Sequence, residues 1–166
     1  MRTIRRATDG DIQAICELYA AARAFMRESG NRSQWVGGYP DRSDVERDLA
    51  AEALFVCVDE NDVPQAAFFF TQGPDPTYAT IAGEWADEGP YHVVHRIAAR
   101  RGSGAGRECL AWACGQARSV RIDTHEDNRP MRHVLGLLGF VECGTIWLED
   151  GSPRVAYQHV GVTASD

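Results

Sequence analysis

The sequence predicts an α/β (α+β) fold: a mixed, mostly antiparallel central sheet of six or seven strands flanked by about four helices. Three observations carry this. Short apolar runs bounded by turn residues, Leu54–Val58 and Ala66–Phe70 above all, read as strands. Segments with apolar residues at helical spacing lie between the strands. One β-α-β run, from Tyr91 to Thr124, requires a parallel pair, because parallel strands are joined by a crossover.

In order, Thr3–Arg6 reads as a first strand. Thr8 or Asp9 caps a helix that carries Ile12, Ile15, Cys16, Leu18 and Tyr19 and runs to about Glu28. A loop rich in Gly, Pro and aromatics spans Asn31 to Asp41. Ser43-x-x-Glu46 has the form of a capping box for a short helix through Leu49. Strands follow at about 54–59 and 65–71, and Gly83 to Pro90 reads as acidic and irregular. Tyr91–Ala99 is a buried strand that ends in a glycine-rich turn, and a helix follows from about 105 to 117. Val120–Thr124 is a strand. Asn128 and Pro130 open a helix with Met131, Val134, Leu135 and Leu138 on one face, and Gly139 closes it. Two last strands fit 143–148 and 154–160.

The 166 residues, 44% hydrophobic and 25% charged, suit one domain over 1–166. No apolar run nears the ~20 residues of a membrane helix, and residues 1–10 have no secretory apolar core. Five dispersed cysteines without a C-x-x-C fit reduced thiols, so a cytoplasmic protein with no membrane partner and no metal is expected. All 17 Lys+Arg residues are arginine, which excludes a Walker P-loop, a kinase ATP lysine and Schiff-base chemistry.

The net charge of −7 is uneven: residues 41–95 sum to −10 and residues 96–132 to +4. An acidic chain is a poor general binder of nucleic acid, so no nucleic-acid partner is expected. A basic stretch beside an acidic one suits an anionic ligand meeting an amine, although random surface charge gives the same sums.

The segment Arg100-Arg101-Gly102-Ser103-Gly104-Ala105-Gly106 lies between a strand and a helix. Such a turn is an anion cradle, because free backbone N–H groups and the helix N-terminus converge on the anion. It suits a pyrophosphate. A Rossmann loop and a glycine turn without a ligand have the same local form. Its place late in a mostly antiparallel series argues against the first.

With Arg101-x-x-Gly104-x-Gly106, Asn128 and Leu138-Gly139-Phe140 in this order, the chain resembles the GNAT superfamily of acetyl-CoA-dependent N-acetyltransferases. Gln34-Trp35-x-x-Gly38-Tyr39-Pro40 and Asp123-Thr-His-Glu-Asp-Asn128 resemble an uncharacterised bacterial branch of it. The resemblance implies that the parallel pair splays and takes acetyl-CoA as co-substrate. Ile97, Ala99, Arg100, Arg101, Gly102, Ser103, Gly104, Ala105, Gly106 and Asn128 would then bind this cofactor. It implies direct acetyl transfer to a primary amine of a small molecule or peptide, and a homodimer is among the assemblies it implies. Two features depart from the family. The turn is short, with only Arg100 between the strand and Arg101, and Leu135 stands where many members carry an acidic tyrosine. The second departure keeps open a non-catalytic acyl-CoA-binding sensor of the same fold.

Acetyl transfer to an amine needs a base, and alternation along the strand places Val93, His95, Ile97 and Ala99 on one face. His95 is the polar group of that set, at the position where serotonin N-acetyltransferases of the family carry a catalytic histidine. It is the first catalytic candidate, and a hydrogen-bonded core histidine is the other reading. Glu84 is the second, an acid in the loop before the strand, with solvated loop acids as the plain alternative. Trp35 and Tyr39, in the loop after the first helix, and Asp123 and His125, at the end of the next strand, are candidate substrate contacts; core packing fits Trp35 and Tyr39 nearly as well.

Overall fold

The computed structural model describes residues 1–162. Its elements run β1 (Thr3–Arg6), α1 (Ile12–Glu28), α2 (Arg42–Ala50), β2 (Leu54–Val58), β3 (Pro64–Gln72), β4 (Ala82–Gly83), β5 (His92–Ala99), α3 (Ala105–Gln116), β6 (Ser119–Thr124), α4 (Arg129–Leu137), β7 (Val141–Trp147) and β8 (Pro153–Val160). The strands form one sheet in the order β1-β2-β3-β5-β6-β8-β7-β4. β5 and β6 run parallel, paired at His92↔Val120 and Val93↔Arg121. The β1–β2, β2–β3, β4–β7, β6–β8 and β7–β8 ladders are antiparallel.

The sheet has eight strands rather than the six or seven expected. The additional one is β4, whose two residues are too few to carry a period. It exists because two glycines let two backbones touch. Gly83 and Gly144 are paired and have φ of 132° and 145°. A Cβ on Gly83 would sit 2.1 Å from the carbonyl oxygen of Cys143, and one on Gly144 equally close to that of Ala82.

Two helix starts also differ from expectation. Asp41, not Ser43, caps α2: its carboxylate accepts from the Asp44 N–H at 3.1 Å, and Asp44 accepts from the Asp41 N–H at 2.8 Å. A short acid closes the box as a glutamate would. The chain after Thr8 makes one turn of 3-10 helix at Asp9–Asp11 before α1, held by the Thr8 N–H donating to Asp11 at 2.8 Å.

The contacts gather into two compact units: Met1–Phe70 with His95–Leu110, and Thr71–Val94 with the chain from Ala111 onward. In the first, Ile15, Leu18 and Tyr19 of α1 and Val45 of α2 pack on Leu54, Val56 and Ala67 of the sheet. Phe55, Phe68 and Phe70 alternate onto the opposite face, where Phe55 stacks on Phe68 and meets Phe70 edge-on. In the second, Gln158 of β8 is fully buried and ties down the loop before β5. It accepts from the Ala86 and Asp87 N–H groups and donates to the Asp87 carbonyl and the Ser119 hydroxyl. Arg121 of β6 is sandwiched there between Trp85 and Tyr91, its guanidinium carbon 4.0 and 3.9 Å from the ring centroids.

β5 carries an irregularity that matters for the site. The Arg100 N–H donates to Gln65, and the Gly73 N–H donates to Tyr91. Between those bonds the β5 side holds one residue more than the β3 side. The surplus falls at Arg96, whose φ is 48°, so β5 is bulged there.

The glycine contact at β4 is open to test. Gly144→Ala meets a backbone carbonyl and takes a φ that side chains avoid, so it should cost about 2 kcal/mol or more, roughly 5 °C in Tm. Gly136→Ala, in α4 with open space around it, should raise Tm slightly. Thermal melts of both variants check this; an unchanged Tm for Gly144→Ala contradicts the close approach.

Candidate active site

The glycine-rich turn between β5 and α3 is built as an open cradle. Gly102 and Gly104 both have φ of 74°, and nothing lies within 4 Å of where their Cβ atoms would be. The turn closes through the Ser103 N–H and hydroxyl, which both donate to the Arg100 carbonyl, at 3.1 and 2.6 Å. The Ser103 hydroxyl in turn accepts from the Ala105 N–H at 3.1 Å. Gly106 and Arg107 lie in the first turn of α3, where N–H groups have no intrahelical carbonyl to reach. Gly106 faces β5, where a Cβ would make ordinary contact with that of Ala99 at 3.5 Å. Arg100 and Arg101 are exposed at the rim, Arg100 donating to the Pro64 carbonyl and Arg101 lying over the Phe25 ring. These residues fit a pyrophosphate: the two glycines leave the space beside the turn empty, the first-turn amides of α3 follow it in the chain, and two exposed arginines precede them.

The bulge changes the faces of β5. His95 and Arg96 both lie against Phe69 of β3, with the His95 ring centroid at 5.8 Å and the Arg96 guanidinium carbon at 4.8 Å. Two consecutive residues opposing one partner is what a bulge produces. Strict alternation through Val93, His95, Ile97 and Ala99 therefore fails at Arg96. Ala98 joins the core beneath α1 and α2, whereas Ala99 faces α3. His95 shares its face with Arg96 and not with Ile97 and Ala99.

Arg96 is the residue that sequence reasoning missed. Its guanidinium grips Asp48 of α2 with two bonds, Nε to Oδ2 at 2.6 Å and Nη2 to Oδ1 at 2.9 Å. The side chains are only 14% and 3% exposed. Nη1 donates to the Tyr39 hydroxyl at 3.1 Å. Burial pulls the Arg96 pKa down, but the bonds to Asp48 and Tyr39 more than offset it and raise it, so the group stays charged. Tyr39 is 39% exposed, and Trp35 packs edge-on against Tyr19 with centroids 5.5 Å apart. The Tyr19 hydroxyl is buried without a hydrogen-bond partner, and burial raises its pKa well above the usual tyrosine value. A signal for Arg96 was present in the sequence: an arginine inside an apolar strand must find a carboxylate.

The remaining candidates fall in the second unit. Asp123 accepts from the buried Tyr78 hydroxyl at 2.7 Å, and burial first, then Asp123, raises the Tyr78 pKa. His125 is buried, and its Nδ1 accepts from the Asp127 N–H at 3.1 Å. The Asn128 side chain caps α4 by accepting from the Met131 N–H at 3.3 Å. Glu84 is exposed next to β4. Leu135 is fully buried in α4 and offers no acid. Among the described residues, no three His, Cys, Asp or Glu side chains are grouped to hold a metal, and no helix is long and apolar enough to cross a membrane.

Comparisons with family sequence models and with curated proteins give no match. Solved structures do match. A GNAT-family acetyltransferase from Streptococcus agalactiae is 30% identical, with a TM-score of 0.88 over 98% of this chain and 96% of its own. One from Listeria monocytogenes is 20% identical, with a TM-score of 0.70 over 96% and 94%. A phosphinothricin acetyltransferase from Sinorhizobium meliloti, solved in complex with AcCoA, is 17% identical, with a TM-score of 0.64 over 99% and 92%. The mixed sheet with its one parallel pair, flanked by four helices, is thus an acyltransferase architecture. The chain belongs to the GNAT family of acetyltransferases.

The Arg96–Asp48 pair has a direct stability consequence. Asp48→Asn leaves a buried guanidinium without its counter-charge and should cost about 3–5 kcal/mol. Replacing both partners, with Arg96→Met and Asp48→Leu, should cost far less, because an apolar pair of similar volume needs no compensation. Urea unfolding of the three chains separates the outcomes.

Proposed function

We propose that this protein transfers an acetyl group from acetyl-CoA directly to a primary amine of a small molecule or peptide. The observation that carries the reading is the open, arginine-rimmed glycine turn between β5 and α3 in a chain of the acetyltransferase family. Acetyl-CoA, when bound, supplies the acetyl group as an activated thioester. In this reading the amides of 102–106 and Arg100 and Arg101 hold its pyrophosphate, and the backbone edge of β5 at Ile97 and Ala99, rather than their side chains, pairs with its pantetheine. The protein acts in the cytoplasm.

The chain's own residues have two tasks. One is to take a proton from the amine, since an ammonium has no lone pair to form the new N–C bond. We assign this to His95, half-buried beside Phe69 and next to the Arg96–Tyr39 contact. A neutral imidazole offers a ring nitrogen that can accept this proton. The other task is to seat the acceptor, which we assign to the loop carrying Trp35 and Tyr39. Breaking the C–S bond expels a thiolate whose conjugate acid has a pKa of roughly 8.5, so the reaction does not require the acid that Leu135 lacks. That same Leu135 favours the second reading, a non-catalytic acyl-CoA-binding protein. Release of free CoA thiol with a panel of amines distinguishes the two.

Gly104→Asp tests the cradle. Aspartate tolerates a φ of 74° better than most residues and has open space here, so the fold should survive at a cost of about 1 kcal/mol. Its charge should weaken acetyl-CoA binding at least about tenfold and remove most of the ligand-induced rise in Tm. Normal binding by the folded variant would contradict the assignment.

His95→Gln tests the base. It should lower kcat by about 10²–10⁴ at pH 7 with little change in acetyl-CoA affinity. Part of the loss should return at high pH, where more of the amine is already neutral. A near-normal kcat at pH 7 would move the role elsewhere, Glu84 acting through water being the next assignment.

A further inference from the structure

Arg96 is unusual in three independent ways. It holds φ of 48° within a strand, a conformation that a side chain adopts only when its surroundings over-determine it. Its charge is cancelled in place by the bidentate bond to buried Asp48, so it offers no free cation to an anionic ligand. One of its remaining donors is nonetheless spent on Tyr39, an exposed residue of the loop between α1 and α2.

That loop is also held near its start, where the Asn31 N–H donates to the Met26 carbonyl and the Asn31 amide to Gln34, and by one turn bond, the Tyr39 N–H donating to the Val36 carbonyl at 3.3 Å. The Trp35 ring rests on Tyr19 at one end, and the Pro40 carbonyl accepts from Arg23 at 2.6 Å at the other. Between them lie Gly37 and Gly38, with φ of 67° and 81° and nothing near either Cβ position. A stretch like this has many conformations unless its side chains are held. The bond from Arg96 reaches Tyr39, the first residue after the two glycines. The guanidinium is itself clamped between Asp48 on α2 and the Phe69 face on β3.

We infer that Arg96 is a positioning residue: it fixes the Tyr39 end of this loop to the bulged segment of β5, beside His95, and so sets where an amine acceptor is seated. The kinetic part of this inference rests on the acetyl-transfer reading, but the structural part does not. Arg96 touches neither reactant; it acts through Tyr39.

Two variants of the full chain separate the role from simple stability. Tyr39→Phe removes the hydroxyl and keeps the ring and the Arg96–Asp48 pair. The double variant Arg96→Met with Asp48→Leu removes the anchor and leaves no buried charge unpaired. The first readout is the rate at which chymotrypsin cuts between Trp35 and Val36 under native conditions. It should rise about tenfold in both variants, since a hydrogen bond to a charged group is worth roughly that much in loop opening. The second uses phenylethylamine, spermidine and an N-terminal alanine peptide as acceptor probes. With whichever probe the wild-type protein acetylates, the amine KM should rise about tenfold in both variants, while the acetyl-CoA KM stays within twofold.

Unchanged cleavage in both variants overturns the inference, whatever the activity. Faster cleavage with equal rises in both KM values also overturns it, because the loop would then not be specific to the acceptor. If the wild-type protein acetylates none of the probes while binding acetyl-CoA, it is the reading under Proposed function that fails. The cleavage rates then decide the positioning role on their own.

Discussion

The first unit is organised around one buried contact, the Arg96 guanidinium of β5 on the Asp48 carboxylate of α2. The pair crosses from the sheet to α2 with two short bonds and almost no exposure. A contact of this kind adds little net stability compared with an apolar pair of equal volume. What it adds is direction. α2 has to present Asp48 where β5 presents Arg96, and β5 has to bulge to bring Arg96 onto that face. Phe69 fills the space beneath the guanidinium, and Tyr39 takes one of its outer donors. The loop carrying Tyr39 and the bulge beside His95 are therefore tied to the same pair.

The glycine turn follows a different logic. It is defined by what is left out. Gly102 and Gly104 hold a left-handed backbone, and nothing lies within 4 Å of where their side chains would begin. Ser103 closes the turn from within, through the Arg100 carbonyl and the Ala105 N–H, and its own carbonyl accepts from Arg2, which also pairs with Glu108. The middle of β5 is thus organised by a buried charge pair, and the turn that follows it by an absence of side chains.

Much of this was legible in the sequence. The turn, the helix that follows it, the Asn128 cap and the parallel crossover all announce themselves through local rules: glycine spacing, period and capping chemistry. The α2 start was misread by two residues, because Asp41–Asp44 and Ser43–Glu46 are both acceptable boxes and only the tertiary setting chooses. β4 was missed because two residues cannot show an alternation. The face of His95 was misread for a deeper reason. Alternation assumes one residue per step, and a single left-handed residue at Arg96 breaks that assumption without leaving a glycine to mark it. An arginine in an apolar strand was the available clue, but its carboxylate partner lies 48 residues away in the chain, where no spacing rule reaches.

The two borders of the sheet are β1, four residues long and ending in Arg5 and Arg6, and β4, two residues long and made of alanine and glycine. A long flat border strand with free amides invites another chain to add itself as a further strand. One border here is short and charged, and the other is barely a strand at all. Each of these two strands therefore offers an added strand only a few main-chain groups to pair with. The same economy protects the chain while it folds, when unpaired edges are the usual starting point for aggregation.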